Sequence, residues 1–112
     1  MTEGALDSQP QFAIQESAEP TGRVHVAVSG ELDLATVPVL EQRLDQLKAE
    51  NRSVRLDLSA VEYMDSTGIR LLIQVLTGQD PAGPTVEVED SFTPAVRRVI
   101  ELVGADRLLA GA

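Results

Sequence analysis

Apolar residues recur along the chain with two different periods, and the changes of period mark out the elements. Phe12 and Ile14, separated by small or polar residues, predict a short first strand. Glu19-Pro20-Thr21-Gly22 carries turn chemistry, because Pro presets φ and Gly tolerates positive φ. Val24, Val26 and Val28 alternate with Arg23, His25 and Ala27, so a second strand follows and the two read as an antiparallel hairpin. Ser29-Gly30-Glu31-Leu32-Asp33 is expected to leave that strand. Val37, Leu40, Leu44 and Leu47 then fall on one helical stripe. Thr36 is the expected N-cap, Pro38 sits in the first turn where a missing N–H costs little, and Asn51 is the expected stop.

Val54, Leu56 and Leu58 alternate with Arg55 and Asp57 as a third strand. A helix separates it from the second strand, so the unit is βαβ, parallel and right-handed. Val61 and Met64 are expected to pack under the next turn. Ile69, Leu72, Ile73 and Leu76 repeat the helical stripe, and Gly78, Pro81, Gly83 and Pro84 end it. Val86 and Val88 give a fourth strand. Thr93-Pro94 opens a third helix with Val96, Val99, Ile100 and Val103 on one side, Gly104 ends it, and Asp106 to Leu109 can add a short final turn. The fold class is α/β: one small domain with about four strands. The sheet is mostly parallel with an antiparallel N-terminal strand, packed against three to four helices. Residues 1–10 lack periodicity and are expected to be a flexible tail, with the domain over 11–112.

Composition narrows what this scaffold can do. The chain has 112 residues, enough for one core. Aromatics are only 3%, so the core must be Val, Leu and Ile, and base stacking is disfavoured. The formal net charge of −9 argues against nucleic acid and against anionic membranes, and favours a partner with a basic patch. With no Cys, thiolate chemistry is excluded, and the single His25 cannot build a multi-histidine metal site. No signal peptide or membrane-length apolar run is present, so a cytoplasmic protein without membrane insertion is expected.

Enzyme chemistry finds little support. His25 is read as a solvent-exposed strand residue, and no nucleophile elbow, phosphate loop or dinucleotide turn occurs. Asp57 and Asp65 could be imagined on Mg²⁺, but Asp57 reads as a polar-face strand residue and Asp65 as a helix cap. The stretch that holds most chemistry is Asp65-Ser66-Thr67-Gly68, where a strand hands over to a helix. Two readings fit it. Asp65 or Ser66 can cap the helix. A hydroxyl there can also carry a phosphate, favoured by free N–H groups and the helix dipole, with Gly68 leaving the backbone open.

Three segments resemble the STAS domain family, specifically the bacterial anti-sigma-factor antagonists. They are Gly30-Glu31-Leu32-Asp33 with Ala35, the run from Asp57 to Ile69, and Thr93-Pro94-Ala95-Val96-Arg97-Arg98-Val99 followed by Gly104. The resemblance implies a phosphoprotein in a partner-switching stress response that regulates transcription. Unphosphorylated antagonist binds an anti-sigma factor, itself a GHKL serine/threonine kinase, and frees the sigma factor. Phosphorylation ends binding and a PPM-type phosphatase restores it. ATP belongs to the kinase, so no cofactor is expected here. The resemblance makes Thr67 the acceptor and Ser66 the second choice. It puts Glu31, Asp33, Asp65, Ser66, Gly68 and Ile69 against the partner, in a monomer or weak dimer. Thr67 stands where Ser is usual, Arg70 stands where a small residue is common, and the breakers from Gly78 to Pro84 predict a short second helix. A non-switched STAS scaffold or a subunit of a lipid-transport ABC system is the alternative.

Overall fold

The alternating valines and leucines form the centre of a four-stranded sheet in the computed structural model, which describes residues 12–109. The tail expected over residues 1–10 lies outside them. The elements are β1 (Ala13–Ala18), β2 (Val24–Leu32), α1 (Val37–Ala49), β3 (Val54–Met64), α2 (Ser66–Thr77), β4 (Val86–Val88), α3 (Pro94–Leu102) and α4 (Asp106–Leu109). Strand order is β1-β2-β3-β4. β1 is antiparallel to β2, and the other two pairings are parallel. No helix among the described residues is long and apolar enough to cross a membrane.

Val24, Val26, Val28 and Leu32 of β2 join Val54, Leu56, Leu58, Val61 and Met64 of β3 in one buried cluster. Leu40, Leu44 and Leu47 of α1, Leu71 and Leu72 of α2, and Val96 and Ile100 of α3 complete it. The helices therefore share one face of the sheet. Phe12 and Phe92 only pack at its edge and Tyr63 is exposed, so aliphatic side chains carry the core.

Two strands run further than their alternation suggests. β2 does not end at Val28 but continues through Gly30 and Glu31 to Leu32, and β3 runs to Met64. The reason is that β3 carries two bulges. Its pairing with β2 shifts register between Ala27 and Ser29, and again between Gly30 and Glu31. Each shift adds one residue to β3, so its inward residues change spacing from two to three after Leu58. Gly30, at φ +92°, lies on β2 beside the second bulge, in a backbone conformation that favours glycine.

The helix ends follow local chemistry. Asn51, at φ 60°, closes α1: its N–H donates to the Lys48 carbonyl at 2.9 Å and the Arg52 N–H to the Leu47 carbonyl at 3.0 Å. Gly104 and Ala105 close α3 in the same way, onto Glu101 and Ile100. The second helix is not short. α2 spans 12 residues and stops only at Gly78, because the breakers lie beyond its last apolar turn.

The other sheet face is covered by ion pairs instead of helices. Glu19 accepts from Arg23 at 2.9 Å and from Arg55, Arg55 also reaches Glu89, and Arg23 reaches Glu87. His25, expected to be solvent-exposed, is half-buried here, 3.0 Å from Asp57 and 3.6 Å from Glu89. Isolated pairs of this kind contribute little, but these link β2, β3 and the β4 segment with the turn that joins β1 to β2.

Arg23 and Arg55 hold the Glu19 carboxyl below its ordinary value, and Arg43 does the same for Glu16. At Asp57, partial burial pushes upward, but bonds from the Ser59 hydroxyl, the Ser59 N–H and His25 outweigh it and the carboxyl is lowered. Folded-state values below the unfolded ones mean that this stabilisation is complete above the ordinary carboxylate range. It is lost as pH falls through the folded values. The urea midpoint should therefore drop as pH is lowered below about 4. An Arg55→Met chain should show a shallower drop, and an identical acid profile would remove the network from the account.

Candidate functional site

Parallel β2 and β3 end side by side, and each hands over to a helix at the same edge of the sheet. Leu32 pairs with Met64, and the Asp65 N–H donates to the Leu32 carbonyl at 3.1 Å. Two turns are thereby held together, Asp33–Thr36 before α1 and Asp65–Gly68 at the start of α2. This edge, at the carboxyl ends of parallel strands, is where α/β folds usually present binding groups.

Each turn is organised by an aspartate. In the first, the Asp33 Oδ1 accepts from the Ala35 and Thr36 N–H groups, both at 3.0 Å. Thr36 was the expected cap, but its side chain makes no cap bond to α1. Its hydroxyl accepts from the Asp33 N–H at 2.9 Å and donates to the Glu31 carbonyl at 2.7 Å. Thr36 has helical backbone angles, so its hydroxyl points back into the turn; the Asp33 side chain holds the turn before α1, and its backbone carbonyl accepts from the Val37 N–H at 2.9 Å. In the second turn, Asp65 is in extended conformation, and its Oδ1 accepts from Thr67 at 2.8 Å and Gly68 at 3.1 Å.

The two hydroxyls differ in setting. Ser66 is exposed and Thr67 half-buried, and neither hydroxyl bonds to another described residue. The idea that free N–H groups await a phosphate here is corrected, because Asp65 already occupies those of Thr67 and Gly68. Gly68 and Ile69 are both buried, Ile69 at 7% exposure, so they shape the turn from beneath. A Cβ on residue 68 would lie 2.5 Å from Met64 Cγ, 3.0 Å from the Leu32 carbonyl oxygen and 3.2 Å from Leu32 Cβ. Gly68 is thus a packing requirement. Glu31 and Asp33, both half-buried, do flank the Asp65 turn. Asp57 and Asp65 are not brought together: one pairs with His25 and the other caps α2.

A family model described as "Mlab, STAS domain" matches residues 16–110. The chain belongs to the STAS domain family. It is 30% identical over 102 residues to the anti-sigma-F factor antagonist RsfB of Mycobacterium tuberculosis, spanning 89% of this chain and 81% of that one. To the anti-sigma-B factor antagonist of Bacillus subtilis it is 27% identical over 81 residues, 72% and 73% of the two chains. The crystal structure of an anti-sigma factor antagonist from Mycobacterium paratuberculosis superposes with a TM-score of 0.70 at 31% identity, covering 87% of this chain and 81% of that one. Unphosphorylated SpoIIAA shares the fold, with a TM-score of 0.68 at 18% identity, covering 86% and 84%. These names put the chain in the anti-sigma-factor-antagonist branch of the family.

Around this STAS domain's paired turns lie residues that periodicity did not single out. Leu34 is 75% exposed between the turn residues Asp33 and Ala35, and Tyr63 is 52% exposed opposite Glu31 on the bulged end of β3. Two large apolar side chains beside a polar turn are a contact surface in waiting. The signal in the sequence was that each is apolar yet falls outside the inward stripe of its element. Arg70 is exposed one turn along α2 from Thr67 and forms no ion pair with a described residue. A cleft of about 200 Å³ between α1, α2 and β4, with Leu44, Val54, Leu71 and Val75 in its lining, includes none of these residues.

Gly68→Ala should destabilise the domain by on the order of 1 kcal/mol after the better helix propensity of Ala is counted, because the Leu32 backbone cannot withdraw as a side chain could. Asp65→Ala should cost about 1 kcal/mol by freeing two N–H groups, and Asp65→Asn less. Urea unfolding of the three variants measures both, and a neutral Gly68→Ala would disprove the close packing.

Proposed function

We propose that this STAS domain is an anti-sigma-factor antagonist switched by phosphorylation of Thr67. Its partner is an anti-sigma factor that is also a GHKL serine/threonine kinase, and the unphosphorylated domain binds it and frees a sigma factor. A PPM-type phosphatase reverses the modification. The domain acts in the cytoplasm as a binding module, with ATP supplied to the kinase.

One observation carries the reading. Thr67 offers an unengaged hydroxyl in the first turn of α2, beside a carboxylate that already holds the neighbouring N–H groups. A phosphate there adds about −1.5 to −2 charges. It meets the Asp65 carboxylate instead of vacant donors, with Glu31 and Asp33 on the adjoining turn. The modified surface therefore repels an acidic or apolar partner face and imposes bulk on a close contact. Ser66 is the second-choice acceptor. Glu31, Asp33, Asp65 and Ser66 supply polar contacts, Gly68 and Ile69 set the shape beneath them, and Leu34 and Tyr63 supply apolar area. Arg70, one turn further on, is placed to meet a phosphate on Thr67.

The direct test incubates the protein with its kinase and ATP and maps the phosphate by mass spectrometry. Modification of Thr67 is expected, and absence of phosphate on both Thr67 and Ser66 removes the switch. In binding assays Thr67→Glu should weaken the complex at least tenfold, about 1.4 kcal/mol, while Thr67→Ala stays within about threefold. Equal binding by both would contradict the charge argument. Co-purification with a transporter ATPase in place of a kinase would assign the domain to a lipid-transport ABC system or to a scaffold without a switch.

A further inference from the structure

We infer that His25, Asp57 and Glu89 form a binding site for a first-row divalent cation, Zn²⁺ or Mn²⁺ in class, on the helix-free face of the sheet. The three residues come from three neighbouring segments. His25 is the second residue of β2, Asp57 lies within β3, and Glu89 follows β4, where its N–H extends the ladder to the Leu56 carbonyl at 2.9 Å. The parallel register of β2, β3 and β4 is what gathers them.

Their donor atoms already stand near coordination distances. His25 Nε2 is 3.0 Å from Asp57 Oδ2 and 3.6 Å from Glu89 Oε2, and one donor atom from each of the three lies within 4.8 Å of the others. A cation held by N and O ligands at about 2.0–2.2 Å keeps neighbouring ligands roughly 3.0–3.5 Å apart. Small side-chain movements therefore suffice to close the set. Asp57 is also aimed. Its Oδ1 accepts from the Ser59 N–H at 2.9 Å and the Ser59 hydroxyl at 2.6 Å, which leaves Oδ2 for the cation. Fixing a ligand from behind in this way is how metal sites hold their geometry.

The charge and donor types select the ion. One imidazole and two carboxylates suit Zn²⁺ or Mn²⁺ better than an all-oxygen ion such as Mg²⁺. The side chains are 24%, 18% and 27% exposed, so water can reach the remaining positions. Arg55 Nη1 donates to Glu89 Oε2, the same oxygen that faces His25, so the cation must displace that bond or take Oε1. Arg55 keeps Glu19 as a second partner, and the chain carries a net charge of −9. Seven residues of β3 separate Asp57 from Asp65, roughly 25 Å of strand, so the cation site and the proposed phospho-acceptor turn are distinct.

Because His25 is the only histidine, its imidazole signal in NMR reports this site alone. The untagged full chain, freed of metal and titrated with Zn²⁺ at neutral pH, should show one saturable change of that signal. Calorimetry should give a matching stoichiometry of about one, and Mg²⁺ at the same concentration should not compete. Asp57→Asn and Glu89→Gln should each weaken Zn²⁺ binding by about tenfold or more, and Ser59→Ala, which removes no ligand, by a smaller factor. Glu89 lies outside β4, so Glu89→Gln should keep the backbone spectrum of the parent even if Asp57→Asn does not. No change at the His25 signal up to millimolar Zn²⁺ would overturn the site. So would unchanged affinity in Glu89→Gln, which would locate the ion elsewhere.

Discussion

The backbone carbonyl of Leu32 is the point on which the functional edge depends. It accepts from the Asp65 N–H, and a Cβ at residue 68 would lie 3.0 Å from the same oxygen and 2.5 Å from Met64 Cγ. Glycine at that position lets the first turn of α2 lie against the end of β2. The Asp33 turn thereby sits beside the Asp65 turn at the edge of the sheet, with Thr67 in the first turn of α2. A helix start held by backbone contact on one side and by a capping carboxylate on the other has little freedom to shift when a partner binds. Preorganisation of this kind lowers the entropy lost on docking.

Capping and switching share one group of atoms without competing. Asp65 holds the N–H groups that would otherwise be the natural cradle for an anion. In the proposed switch, a phosphate on the neighbouring threonine would be added to a site whose positive ends are already neutralised, and its effect would be exerted outward, on whatever approaches.

Much of the architecture could be read from periodicity, and the departures have specific causes. The sequence positions of β2, α1, α2 and α3 followed from valines at every second residue and apolar stripes at helical spacing. The full length of β3 is hidden in its pattern because the bulges at Leu58–Ser59 and at Glu62 break a period of two while leaving the strand paired. Thr36 looks like the cap of α1 because it directly precedes the apolar stripe, yet its helical backbone turns the hydroxyl back toward Asp33 and Glu31, away from the α1 N–H groups. His25 was placed on the correct face by alternation. Its partners, however, come from two other segments, and a strand's register against its neighbours is not written in its own residues. At the candidate site, Asp65, Ser66 and Thr67 could be picked out by type. That Gly68 and Ile69 point inward depends on how closely α2 approaches β2, a distance that no local pattern encodes.

The two bulges have a further consequence for where length can change. β2 crosses the sheet in nine residues and β3 in eleven, so β3 contains two residues that the ladder does not need. Each surplus residue is compensated within its own bulge, so removing it would restore alternation there and keep Val54, Leu56, Leu58, Val61 and Met64 pointing inward, whether or not the other bulge remains. Removing a residue from the regular stretch before Leu58 would instead turn core residues toward solvent. What the surplus changes is the surface, where Glu62 and Tyr63 are exposed next to the Asp65 turn. The length of the core strand is set by the sheet, and its excess falls entirely on the exposed side.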